Sequence, residues 1–128
     1  MSYVEGFVIP VPTANKQAYL EMAKKAAPIF QEHGALRVVE GWGDDVPKGK
    51  LTDFWMAVKA NPGETVVFSW VEWPSKAVRD SGMKKVMADP RMQPAAGMPF
   101  DGKRAVFGGF ATMLDSAATP ARSKKRSA

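Results

Sequence analysis

Residues 3–11 (YVEGFVIPV) put Tyr3, Glu5, Phe7, Ile9 and Val11 on one parity and Val4, Gly6, Val8 and Pro10 on the other. A period of two with aromatic and β-branched content predicts a strand. Pro10 offers no amide to a ladder, so pairing is expected to fail on one side there. Thr13 reads as a helix N-cap. Tyr19, Met22, Ala23, Ala26, Ile29, Phe30 and His33 then recur at spacings of three and four, an apolar stripe on a helix of about five turns. The stripe continues past Pro28, which predicts a kink rather than a stop. Gly34 suits the left-handed residue that ends such a helix.

Residues 36–42 (LRVVEGW) predict a second strand. Turn chemistry dominates from Gly43 to Gly63, although residues 53–60 (DFWMAVKA) are apolar enough for a short helix or a strand over the core. Residues 65–73 (TVVFSWVEW) give the clearest strand, with Val67, Ser69, Val71 and Trp73 opposite Val66, Phe68, Trp70 and Glu72. Ser75 caps a helix to about Ala88, with Val78, Gly82, Met83, Val86 and Met87 inward and Lys76, Arg79, Lys84 and Lys85 outward. Asp89-Pro90 stops it, because a residue before proline avoids helical geometry. A flexible connection is expected over residues 91–99 and a last strand over 104–114, where Gly108-Gly109 marks a bulge, a bend or a close approach.

Strand, helix, strand, strand, helix, strand is the ferredoxin-like βαββαβ order of an α+β domain: a four-stranded antiparallel sheet with two helices on one face. A sheet with one solvated face should alternate apolar with polar residues. Here both parities are apolar: Phe7 and Val8, Trp70 and Val71, Phe107 and Phe110. Two helices cover one face only, so the other is expected to meet a second copy, as a homodimer.

With 128 residues, one domain is expected, here residues 1–115, and a core of that size needs no staples. The chain has no cysteine and one histidine, which excludes disulfides, thiol nucleophiles, cysteine-ligated metals and, within one subunit, a multi-histidine metal site. The net charge of +5 is concentrated at the end: Arg122, Lys124, Lys125 and Arg126 lie in an acid-free stretch, and the remaining 14 bases nearly balance 13 acids. Residues 116–128 are expected to be a disordered basic tail. A nearly neutral folded body argues against a nucleic-acid partner. There is no basic leader and no long apolar run, so no signal peptide or membrane partner is expected, and the cytoplasm is the default compartment.

Four blocks, residues 26–50 (AAPIFQEHGALRVVEGWGDDVPKGK), 64–80 (ETVVFSWVEWPSKAVRD), 85–92 (KVMADPRM) and 99–110 (PFDGKRAVFGGF), resemble the domain-of-unknown-function family DUF1428. The likeness spans about residues 2–115. It implies a small bacterial protein of the dimeric α/β-barrel, ferredoxin-like type. It brings no activity, substrate or catalytic set.

Candidate chemistry is sparse. His33, beside Glu32 at a helix end, is either an acid/base group or a cation favoured by the helix dipole. Glu72, on an otherwise apolar strand face, is either a desolvated base or a carboxylate that pairs or reaches water. Arg91 and Arg104 either grip an anionic substrate or hold the carboxylates of their own turns. Trp42, Trp70 and Phe68 suit the walls of an aromatic pocket or a dimer interface. Asp44, Asp45 and Asp53 are too poor a set for a hard metal, and a solvated loop is expected. No phosphate loop, nucleophile elbow or zinc-binding HExxH is present. The leading reading is a homodimer with a small-molecule pocket between sheet and helices. If it is an enzyme, it works without a cofactor on an apolar or aromatic substrate, with His33, Glu72 and Arg104 as polar groups. The alternative is a non-catalytic interaction module, with an RNA-associated role a distant third.

Overall fold

The computed structural model describes residues 2–93 and 97–117. Most of the expected basic tail, and the middle of the connection after the second long helix, lie outside these residues.

Strand β1 (Tyr3–Pro12), helix α1 (Lys16–Glu32), strand β2 (Arg37–Trp42), a one-turn helix α2 (Phe54–Ala57), strand β3 (Glu64–Trp73), helix α3 (Lys76–Ala88) and strand β4 (Val106–Ala111) follow in order. The sheet order is β2-β3-β1-β4 and every pairing is antiparallel. This is the ferredoxin-like arrangement, with α1 and α3 on one face. The registers place Tyr3 opposite Trp73 and Ala111, and Phe7 opposite Ser69 and Phe107. Pro10 does sit where pairing is one-sided: β3 continues beside it, while β4 pairs only as far as Val8.

Beneath the helices, Ile9, Val11, Tyr19, Ala23 and Val67 form one buried cluster, and Tyr3, Ala35, Val71 and Trp73 a second. Trp73 is fully buried, and glycines give its ring room. A Cβ on Gly82 of α3 would overlap the Trp73 ring and stand 2.6 Å from the His33 carbonyl oxygen. Gly34 takes φ +112°, the left-handed value its position demands.

Several local expectations are revised. Thr13 does not cap α1. Its hydroxyl lies 2.7 Å from that of Thr65, and a single 3₁₀ turn over Thr13–Asn15 precedes the helix. Asn15 holds the cap position, but its amide donates to the Pro99 carbonyl at 2.9 Å. The helix does run through Pro28. The undecided stretch becomes α2, capped by Asp53, whose carboxylate accepts from the Met56 amide at 2.6 Å. Ser75 caps α3 as expected, accepting from Val78. Met87 is exposed, because it lies one residue past Val86, about 100° further round the helix. Arg79 is not outward: it pairs with buried Glu5 of β1, and its guanidinium lies 4.6 Å from the Tyr3 ring centroid.

The glycine pair in β4 makes no bulge, since the β1–β4 register is unbroken from Tyr3 to Val8. The close-approach reading holds. A Cβ on Gly109 would stand 2.5 Å from Arg79 Nη1 and 2.7 Å from the Tyr3 ring.

In an open helix, glycine to alanine gains about 1 kcal/mol. At Gly82 overpacking against Trp73 outweighs that gain. Gly82→Ala is expected to lower stability by about 2 kcal/mol, read as a lower urea midpoint with an unchanged slope. A stabilised variant would contradict the packing described here.

Candidate functional site

Strand alternation sends Val4, Gly6, Val8 and Pro10 of β1, Val39 and Gly41 of β2, Val66, Phe68, Trp70 and Glu72 of β3, and Val106, Gly108 and Phe110 of β4 to the face away from α1 and α3. The Phe110 ring lies across the neighbouring glycines, within 3.7 Å of where a Cβ would stand on Gly6 or Gly108. Helix α2 covers only one end, with Phe54 edge-on to Phe68 and with Val66 and Pro10 buried. The remainder is open: Phe68 is 50%, Val106 46% and Phe110 63% exposed.

A recess of about 310 Å³ is set into this face beside α2. Phe54, Phe68 and Trp70 form one wall, in ring contact at 6.0 and 5.8 Å between centroids. Val39, Val46 and Val66 line it further, and Asp44 and Asp45 contribute at the β2–α2 loop. Trp42 also borders the recess, although it packs with the cluster under α1. Trp70 Nε1 donates to Glu72 at 2.8 Å, and Arg37 of the same chain lies 3.7 Å from that carboxylate. Trp42, Phe68 and Trp70 therefore meet at one recess, with Glu72 at its margin. The recess lies on the open sheet face, not between sheet and helices.

The other nominated residues are in separate networks. His33 Nε2 pairs with Asp89 at 3.2 Å, and Arg91 holds both Asp89, at 2.8 Å, and Glu32, at 2.9 Å. These bonds tie the end of α1 to the end of α3, and the Arg91 guanidinium holds the Asp89 carboxyl well below the usual carboxylate range. Arg104 forms a bidentate pair with Glu64, at 2.8 and 2.7 Å, and also holds Asp101 at 2.9 Å. Hydrogen bonding from Arg104 lowers the pKa of both acids. The arginines thus serve their neighbouring carboxylates. Among the described residues no group of three or more metal-ligating side chains converges.

One polar cluster was not anticipated. Under α1, the Tyr19 hydroxyl donates to Glu40 at 2.7 Å, and Ser69 sits opposite Glu40 in the ladder. Burial pushes the Tyr19 phenol up, and desolvation of its carboxyl raises Glu40. The signal was available: Glu40 shares parity with Val38 and Trp42, both of which pack inward. This carboxyl is the described group best suited to exchange a proton above the ordinary glutamate range.

Helices on one sheet face and an aromatic recess in the other describe a ferredoxin-like α+β domain with an open apolar face. The chain belongs to the DUF1428 family, described as "protein of unknown function", whose model matches residues 2–102. It is 60% identical over 116 residues to the uncharacterized protein YbaA of Escherichia coli K12, covering 90% of this chain and 99% of that one. A YbaA from Shigella flexneri matches equally. Among solved structures, a mutant of SnoaB, a cofactor-independent oxygenase from Streptomyces nogalater, is similar at 12% identity, covering 89% of this chain and 93% of that one, with a TM-score of 0.45. No helix among the described residues is long and apolar enough to cross a membrane.

Because the Glu40 pKa is raised on folding, the stability it supports is present in acid and is lost as pH rises through the folded-state value. Glu40→Gln keeps an acceptor for Tyr19 and removes the charge. Relative to wild type, the variant is expected to gain stability as pH rises from about 4.5 to neutrality, by urea midpoints. A gain confined to acid would reverse the sign.

Proposed function

We propose that this protein is a homodimeric small-molecule binder whose subunits meet through the open sheet face and whose ligand occupies the aromatic recess beside α2. The observation that carries this reading is the contiguous exposure of Phe68, Val106 and Phe110 on one face, beside Val4 and Val8. Each 100 Å² of such surface withdrawn from water stabilises association by about 2.5 kcal/mol before entropic costs. A second copy suits the face better than a charged partner, because the charges at its two ends are paired within the chain. Arg37 lies against Glu72 at one end and Arg104 against Glu64 at the other. Two such sheets stack about 10 Å apart, close enough for their side chains to interdigitate. A two-fold axis then presents the same apolar rows from both sides.

An enzymatic reading stands second. It is favoured by the Tyr19–Glu40–Ser69 cluster, where a desolvated carboxyl could act as a base toward a small apolar substrate. In that reading Glu40 takes the acid/base role first given to His33 and Glu72, while Arg91 and Arg104 position loops.

Light scattering on the full chain tests the pairing. Wild type at micromolar concentration is expected at twice the 13.9 kDa chain mass. Phe110→Glu places a charge on the edge strand of the joint, where Phe110 is 63% exposed, and is expected to run as a single chain with an unchanged circular dichroism spectrum. A wild-type monomer would overturn the proposal.

A further inference from the structure

The open recess has a consistent electrostatic sign. Four aromatic residues line it, Trp42, Phe54, Phe68 and Trp70, and the faces of such rings carry negative potential. The Trp70 N–H is already donated to Glu72, so it offers a ligand no hydrogen. Among the described residues, no lysine, arginine or histidine lines the recess. Asp44 and Asp45 at its loop side are exposed, and neither has a cationic partner within salt-bridge distance among the described residues. That contrasts with Glu64, Asp89 and Asp101, each held by an arginine.

A second observation is independent of the acids. The molecule covers its other accessible indoles with its own cations: Lys16 lies 5.4 Å from the Trp42 ring and Lys48 5.1 Å from the Trp55 ring. Arg79 does the same for Tyr3, and Trp73 is buried. Trp70, with the two phenylalanines beside it, is the accessible indole left without such a partner among the described residues. A tryptophan face is the strongest cation acceptor of the aromatic side chains.

We propose that the recess takes an organic cation with an apolar body, such as an arylalkyl amine, its hydrocarbon or aromatic part against Phe54, Phe68 and Trp70 and its ammonium at the rim beside Asp44 and Asp45. The proposal rests on the reading of the open face as ligand-holding and adds the chemical class. At about 310 Å³ the recess is at the small end of ligand pockets, enough for a one- or two-ring body. The rim position keeps the ammonium partly hydrated, so its desolvation does not cancel the attraction of rings and carboxylates. An anion of the same shape meets repulsion from both, and a neutral isostere gains the apolar contact alone.

The test titrates the full chain by isothermal calorimetry with three probes of one shape: tryptamine (cation), 3-ethylindole (neutral) and indole-3-propionate (anion). Tryptamine is expected to bind about five- to tenfold more tightly than 3-ethylindole, with indole-3-propionate weakest. Added salt is expected to weaken tryptamine only. The double variant Asp44→Asn, Asp45→Asn, in an exposed loop, is expected to bring tryptamine close to the neutral probe without changing the latter. Phe54→Ala is expected to weaken both. Equal binding of tryptamine and 3-ethylindole, or preference for the anion, overturns the cation assignment while leaving a ligand-holding recess. Absence of binding by all three overturns the assignment and the ligand-holding reading together.

Discussion

A β-strand turns successive side chains to opposite sides, and in β1 and β3 both sides are apolar. That constraint organises the molecule. Tyr3, Phe7, Ile9 and Val11 meet α1 and α3, while Val4 and Val8 meet only what lies beyond the sheet. α2 shields one end of that far face, burying Pro10 and Val66. Three large side chains are left in water, and the pairing we propose would remove them from it. The same placement makes the aromatic recess, because Phe68 and Trp70 turn outward at the point where α2 brings Phe54 down on them.

The charged residues are mostly spent on joining elements. Arg79 reaches from α3 to Glu5 of β1, Arg104 from the turn before β4 to Glu64 of β3, and Arg91 from the turn after α3 to Glu32 of α1. Each link crosses many residues of sequence, and the Glu5 carboxylate is buried, so removing its arginine would strand a charge. The lone histidine belongs to the same kind of joint, against Asp89. By contrast Asp44 and Asp45 form no salt bridge among the described residues, and they sit beside the recess for which we propose a ligand.

Buried Tyr19 and Glu40, which meets it from the exposed rim of the core on edge strand β2, are the counterpoint. A partly desolvated carboxylate is costly unless it is hydrogen-bonded, and Glu40 accepts from the Tyr19 hydroxyl with Ser69 opposite it in the ladder. Desolvation, against the effect of that hydrogen bonding, keeps the group the more easily protonated.

Strand and helix identity came from periodicity: the alternation in 3–11 and 65–73, the stripe from Tyr19 to His33, the Ser75 cap and the Asp89-Pro90 stop are local features, and local features survive translation into a fold. The family likeness carried the same blocks. Arg79 shows the limit. Its helix position points toward water, yet a glycine thirty residues later, Gly109, opens the space in which it reaches Glu5. Thr13 lost its cap role to a hydroxyl on β3, and Asn15 spent its amide on Pro99, contacts between residues far apart in the chain. The candidate residues divided likewise. Trp42, Trp70 and Phe68 converge because the ladder sets their neighbours, whereas His33, Arg91 and Arg104 went to separate networks that no spacing foretells. The sequence alone determined which residues face the same way along each element. Only the tertiary structure decided which faces meet, because that depends on registers, on room left by Gly82 and Gly109, and on which charge is near enough to be paired.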